Sequence, residues 1–131
     1  MDSDNKELFG YLIDNKVLVD IKNHRLISLS SEKAIDEKKI VGLRATMMRL
    51  LIYVLSAEPE RIISNDEIMF YVWDSYKLSS SNQRLWQVMQ SLEKKLIQLG
   101  IDEEFIVRVK PSGYYIKHNI VTPLYYFTSS I

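Results

Sequence analysis

Four long polar side chains, Gln83, Gln87, Gln90 and Lys94, recur at intervals of three and four residues, the spacing that gathers them on one side of an α-helix. Each glutamine carries one amide donor and one carbonyl acceptor, the pair that matches the adenine edge in the DNA major groove. Arg84 and Ser91 flank this face, together with Trp86. A guanidinium beside such a row would grip phosphate. Immediately upstream, Ser79, Ser80 and Ser81 read as a helix entry, where hydroxyls cap and backbone amides can hold a phosphate. An ordinary solvated helix presents a polar face as well, so the surrounding elements have to decide between the two readings.

The helix itself is legible. Leu85, Val88, Met89, Leu92, Leu96 and Leu99 form one apolar stripe at about 100° per residue, opposite the glutamines, and predict a helix over 79–99. Upstream, residues 45–57 (ATMMRLLIYVLSA) are amphipathic and Pro59 closes them, since proline cannot continue a helix. Ser64 followed by Glu67 is a capping box that opens another helix, running through Ile68, Met69, Tyr71, Val72 and Trp73 and fading near Asp74. Downstream, residues 105–109 are rich in β-formers, Lys110, Pro111, Ser112 and Gly113 read as a turn, and residues 114–117 return as a second strand. Three helices followed by a β-hairpin is the winged-helix order. There the last helix enters the major groove and the hairpin lies beside the backbone.

With these segments in place, the chain resembles the OmpR/PhoB-type winged-helix domains, and within them the ToxR/CadC-like branch. The resemblance rests on residues 43–55, RIISNDEIMFYVWD (61–74), SSSNQRLWQVMQSLEKKL from residue 79, and VRVKPSGYYI (107–116), and it covers nearly all of 11–117. It implies an α+β fold: a winged helix-turn-helix with an N-terminal four-stranded antiparallel sheet, three helices and a C-terminal hairpin wing. The segment YLIDNKVLVDIKNHRLISL suits the sheet, with Asp14-Asn15 and Lys22-Asn23 as turn signals between short β-rich runs. The expected layout is an arm over 1–10, a domain over 11–118 (sheet 11–43, helices 44–99, wing 105–117) and a tail over 119–131. The resemblance also assigns the DNA contacts. Ser79, Ser80, Ser81, Gln83, Arg84, Trp86, Gln87, Gln90 and Lys94 belong to the recognition helix, and Arg108, Lys110, Ser112 and Tyr115 to the wing. Trp86 either packs against the second helix or the wing, or touches sugar or a thymine methyl.

The chain departs from the family at Gln90, Ser91 and Glu93, where arginine is common. Glu93 would repel a phosphate, and the positions three and four residues away, Met89, Gln90, Leu96 and Ile97, offer no basic side chain to neutralise it. The partners implied are double-stranded DNA, a basic surface such as RNA polymerase for the acidic second helix, and a second copy of the chain on tandem half-sites. Only about ten residues precede the first expected strand, so no receiver domain and no phosphorylation by a two-component kinase are expected. The ToxR/CadC-like branch implies either the cytoplasmic portion of a membrane-bound activator or a soluble orphan.

Composition bounds these readings. A chain of 131 residues with 47% hydrophobic and 26% charged residues suits one globular domain. Without cysteine there is no disulfide framework and no thiolate ligand or nucleophile. His24 and His118 stand far apart without metal-ligand spacing, the four glycines form no phosphate-cradling loop, and the serine run lacks a GxSxG setting. Neither an enzyme nor a cofactor or metal site is expected. No apolar run reaches the roughly 18 residues of a membrane span, and residues 1–7 (MDSDNKE) are acidic rather than a signal peptide, which leads to the expectation of a cytoplasmic protein.

Charge argues in both directions. Lysine plus arginine equals aspartate plus glutamate at 17 each, whereas DNA-binding domains usually show a basic excess. The distribution is uneven, however. Residues 58–74 hold five acids against Arg61, while residues 84–117 hold six bases against four acids, three of them in the loop before the wing. A mildly basic face predicts modest affinity for a single copy. Two function classes remain: a DNA-binding transcription regulator, and a degenerate winged helix used only for protein contacts. Arg84, Lys94, Arg108 and Lys110, as phosphate donors, favour the first. In the tail, Leu124, Tyr125, Tyr126 and Phe127 are too apolar for a free linker. They either pack back on the N-terminal sheet or form a dimer contact.

Overall fold

The computed structural model describes residues 5–29 and 39–128. Strands β1 (Lys6–Ile13), β2 (Val17–Asp20), β3 (Arg25–Ser28) and β4 (Ile40–Gly42) form an antiparallel meander. Alternation along the strands turns Tyr11, Ile13, Val17, Val19 and Leu26 into the core. Asp14 and Asn15 take positive φ, 51° and 53°, in the first turn, a conformation that these short polar side chains tolerate.

The sheet has a fifth strand. Strand β8 (Val121–Phe127) runs antiparallel to β1 from Lys6↔Phe127 to Ile13↔Val121, giving the order β4-β3-β2-β1-β8. Two expectations change with it. Residues 6–10, expected as part of an arm, are strand because β8 pairs with them, and residues 121–127 of the expected tail are strand because β1 offers them an edge. The backbone of 121–127 thus pairs with the N-terminal sheet, while the side chains of Tyr125, Tyr126 and Phe127 stay exposed.

Helix α1 (Ala45–Ser56) buries Met48, Leu50, Leu51, Val54 and Leu55, and Pro59 lies just beyond its end. After the short strand β5 (Ile63–Ser64), helix α2 (Asn65–Val72) opens on the expected capping box: the Ser64 hydroxyl accepts from the Glu67 N–H at 3.1 Å, and a Glu67 carboxylate oxygen accepts from the Ser64 N–H at 3.1 Å. The chain then passes the buried Trp73 into a 3-10 turn at Asp74–Tyr76.

Helix α3 (Asn82–Gln98) buries Leu85, Met89, Leu92 and Leu96, with Leu99 beyond its end and Val88 partly buried. Full burial of each leucine contributes about 1.5 to 3 kcal/mol, so this stripe fixes the rotation of the helix on the core. The helix starts three residues later than the expected 79. Ser81 alone is the cap, its hydroxyl accepting from the Arg84 N–H at 3.1 Å, and Ser80 donates instead to the Asp74 carboxylate at 2.8 Å.

Strands β6 (Ile106–Val109) and β7 (Gly113–Ile116) form the hairpin. Strand β5 pairs with β7 through Ile63↔Tyr114 and Ser64↔Gly113, making a second sheet of order β5-β7-β6. Gly113 is required by this approach, because a Cβ there would overlap the Ile63 carbonyl. The wing is therefore anchored to the start of α2.

Candidate nucleic-acid interface

Because α3 is pinned along Leu85, Met89, Leu92 and Leu96, its opposite face is open to solvent. Gln83, Arg84, Gln87, Gln90 and Lys94 are all exposed, and so is Trp86 at 37%. Cross-strand pairing sets Arg108 opposite Tyr114 on one side of the wing. Arg108, Lys110, Pro111 and Tyr114 then face Asn82, Leu85 and Trp86 across a shared groove, with Asn65 at one end. The groove thus brings Trp86 together with the two wing cations, whereas Gln83, Arg84, Gln87, Gln90 and Lys94 are exposed on α3 without lining it. Trp86 packs at that groove and still keeps part of its ring accessible.

The remaining site candidates are placed less directly. Ser79 and Ser81 are exposed at the approach to α3, with the Ser81 hydroxyl used as the cap and that of Ser80 bonded to Asp74. Ser112 is exposed in the wing turn, and its carbonyl accepts from the Asn65 N–H at 2.9 Å. Tyr115 pairs with Val107, which by strand alternation is the opposite side of the hairpin from Arg108. It is not brought to the groove. Asn65 and Asn82, both lining the groove, had no signal in the sequence: one reads as the residue after a cap, the other falls inside the helix expected over 79–99.

Electrostatics around the groove favour an anion on the wing side. Among the described residues, ion pairs engage Arg61 with Glu67 and Lys117 with Glu104, and none engages Arg84, Lys94, Arg108 or Lys110. Half-burial raises the Glu93 carboxyl above its usual range. The Tyr114 phenol is raised first by burial, with Arg108 pulling it down and Glu93 pushing it up. Glu93 and Arg108 thus act on the same ring from α3 and from the wing, while the Glu93 carboxyl itself is raised by desolvation alone.

The acidic segment is organised too. Arg61 holds Glu67 through two hydrogen bonds, 2.8 and 3.0 Å, and the Tyr53 hydroxyl donates to Glu67 at 2.6 Å. Hydrogen bonding to Arg61, Tyr53 and the Ser64 N–H lowers Glu67 to about 2 against its desolvation. Burial, followed by the bond to Glu67, pushes Tyr53 up to about 12. Outside this network, Phe70, Tyr71 and Tyr76 stand more than half exposed. Tyr71 is stacked on Tyr53 with ring centroids 5.3 Å apart, and the Arg49 guanidinium lies 3.7 Å from the Tyr76 ring centroid.

A helix pair ending in an exposed polar α3, with a β-hairpin beside it, defines a winged helix-turn-helix domain. The family model described as "Transcriptional regulatory protein, C terminal" matches residues 37–116. The chain belongs to that family, the OmpR/PhoB-type winged helices of transcription regulators, a non-enzymatic class. Among solved structures it is similar to the DNA-binding domain of Escherichia coli CadC, with a TM-score of 0.67 and 18% identity, covering 91% of this chain and 99% of that one. It is also similar to the C-terminal domain of the nisin resistance regulator NsrR, a lantibiotic response regulator, with a TM-score of 0.55 and 24% identity over 72% of this chain and 86% of that one. At these identities the likeness is one of fold. No curated protein matches the sequence significantly. Among the described residues no helix is long and apolar enough to cross a membrane.

Proposed function

We propose that this chain is a sequence-specific DNA-binding domain of a transcription regulator, reading the major groove with α3 and holding the sugar-phosphate backbone or minor groove with the wing. The observation that carries the reading is the groove in which the wing cations Arg108 and Lys110 face Asn82 and Trp86 of α3, the helix that also exposes Gln83, Gln87 and Gln90. Base edges would be read by the glutamines. Arg84, Lys94, Arg108 and Lys110 would hold phosphates. The CadC domain, named as DNA-binding, supports the same use of this fold. A DNA-reading role assigns the domain to the cytoplasm, either free or as the cytoplasmic part of a ToxR/CadC-like membrane-bound activator.

Two partners besides DNA complete the proposal. The acidic α2 region, with Phe70, Tyr71 and Tyr76 exposed, suits a basic protein surface such as that of RNA polymerase, since aromatic anchors within complementary charge are the usual make-up of an interface. A second copy on an adjacent half-site supplies the affinity that a weakly basic face lacks. The test is titration of the chain with duplex DNA from upstream of its own gene at several salt concentrations. The Arg108→Ala/Lys110→Ala variant is expected to bind all sequences more weakly and to flatten the slope of log affinity against log salt by about one unit per charge removed. An unchanged slope would separate the wing from the phosphates.

A further inference from the structure

At the tip of the wing, one residue outside it holds two consecutive carbonyls. The Asn65 side-chain amide donates to the Pro111 carbonyl at 3.1 Å, and the Asn65 backbone N–H donates to the Ser112 carbonyl at 2.9 Å. Asn65 is the first residue of α2, so its own N–H is one of those that a helix start leaves without an intrahelical acceptor. The hairpin turn provides that acceptor. Next to it, β5 pairs with β7 through Ser64↔Gly113, and the absent side chain of Gly113 lets the Ile63 carbonyl come close. The base of this clamp is itself held: the capping box of Ser64 and Glu67 fixes the α2 start, and Arg61 fixes Glu67. Lys110 directly precedes the clamped Pro111, and Arg108 lies two residues before Lys110 on the same side of the groove.

We infer that Asn65 is a positioning residue for DNA binding: it locks the wing tip to the start of α2, so that Lys110 and Arg108 are held over the groove before DNA arrives. A short hairpin turn is otherwise among the more mobile parts of a fold, and ordering its lysine and arginine on binding costs affinity. The amide side chain suits this role because it adds an N–H donor that an aspartate carboxylate lacks, and that donor is bonded to the Pro111 carbonyl. The inference rests on the DNA-binding reading for its consequence and on hydrogen-bond geometry for its cause, and the two can be tested apart.

The cause is read on the free protein, by nitrogen-15 relaxation at the Lys110, Ser112 and Gly113 amides. Asn65→Ala should make these amides mobile on the picosecond to nanosecond scale while the α3 amides stay rigid. Asn65→Asp keeps the shape, places an acceptor against the Pro111 carbonyl, and puts a negative charge at a helix start, where it favours the helix. A mobile wing together with an undiminished melting temperature in that variant separates positioning from general stability. The consequence is read by DNA affinity in a double-mutant cycle. Asn65→Ala should weaken binding about fivefold to tenfold in the native background, the size of one hydrogen bond, and by less than about twofold where Arg108 and Lys110 are already alanine. Unchanged wing amides in both variants would overturn the clamp. Equal losses in the two backgrounds would overturn the positioning role, because Asn65 would then be touching DNA itself. A native protein that binds no DNA would sink the proposed function and leave the relaxation result to decide the clamp.

Discussion

At the scale of single residues, the three glutamines of α3 and the two wing cations ask for different measurements, because one set would carry sequence information and the other only affinity. Replacing Gln83 and Gln87 by alanine is expected to cost about 1 to 3 kcal/mol of discrimination per lost base contact, with binding to random DNA largely kept. Competition titration with specific and random duplexes checks this, and equal loss on both would remove the base-reading role. Gly113 is a second residue-scale test. An alanine there meets the Ile63 carbonyl and the Ser64 Cα, so Gly113→Ala should destabilise by about 1 to 3 kcal/mol through overpacking, seen as a lower denaturant midpoint. The glutamine row, Arg108 and Lys110 were legible because side-chain type and helical spacing are local properties. Asn65 and Asn82 were not, since their place at the groove depends on a hairpin that follows much later in the chain.

At the scale of elements, α2 is the piece on which the others lean: its start carries the capping box, the pairing of β5 with β7 and the wing contact. Its stability has a predictable pH dependence through Glu67. The folded carboxyl lies near 2 against an ordinary 4.5, and a depressed carboxyl contributes stability that is full above the unfolded value and is lost as pH falls from about 4.5 through about 2. The Glu67 side chain is about one-quarter exposed, so its contribution at neutral pH is of the order of 2 kcal/mol after allowance for screening. Glu67→Gln should flatten the acid limb of the unfolding free energy over that window and leave the slope near neutrality unchanged. A native-like acid limb in the variant would assign that dependence to other carboxylates. The capping box was readable from Ser64 and Glu67 alone. Its locking by Tyr53 and Arg61 was not, because Tyr53 lies on α1 and reaches Glu67 only once the helices pack.

At the scale of the whole molecule, the balance of charge sets how the domain must work. With 17 bases and 17 acids, a single copy gains little from counterion release, and a second copy on an adjacent half-site can raise avidity on the order of 100-fold without any new contact. Half-sites are expected about 10 base pairs apart and arranged as direct repeats, so that both copies of α3 enter the major groove from the same side. Inserting about 5 base pairs between them should abolish tight binding by turning one groove to the opposite face. Undiminished affinity for that probe, or for an isolated half-site, would show that one copy suffices.

The sequence by itself determined the local elements and their order, because apolar periodicity, a proline, a capping box and a turn act over a few residues: α1, α2, α3 and the hairpin are all where those signals stand. Tertiary structure decided what joins across the chain. Strand β8 completes the N-terminal sheet because β1 has an unpaired edge, and no local pattern in residues 121–127 names that edge. Helix α3 starts at Asn82 because the Ser81 hydroxyl caps it, while Ser80 bonds Asp74 in the preceding 3-10 turn. Tyr115 was carried to the far side of the wing by a one-residue step in strand parity. Periodicity is a property of one segment, whereas hydrogen-bond register and groove lining belong to pairs of segments, and only packing chooses the pair.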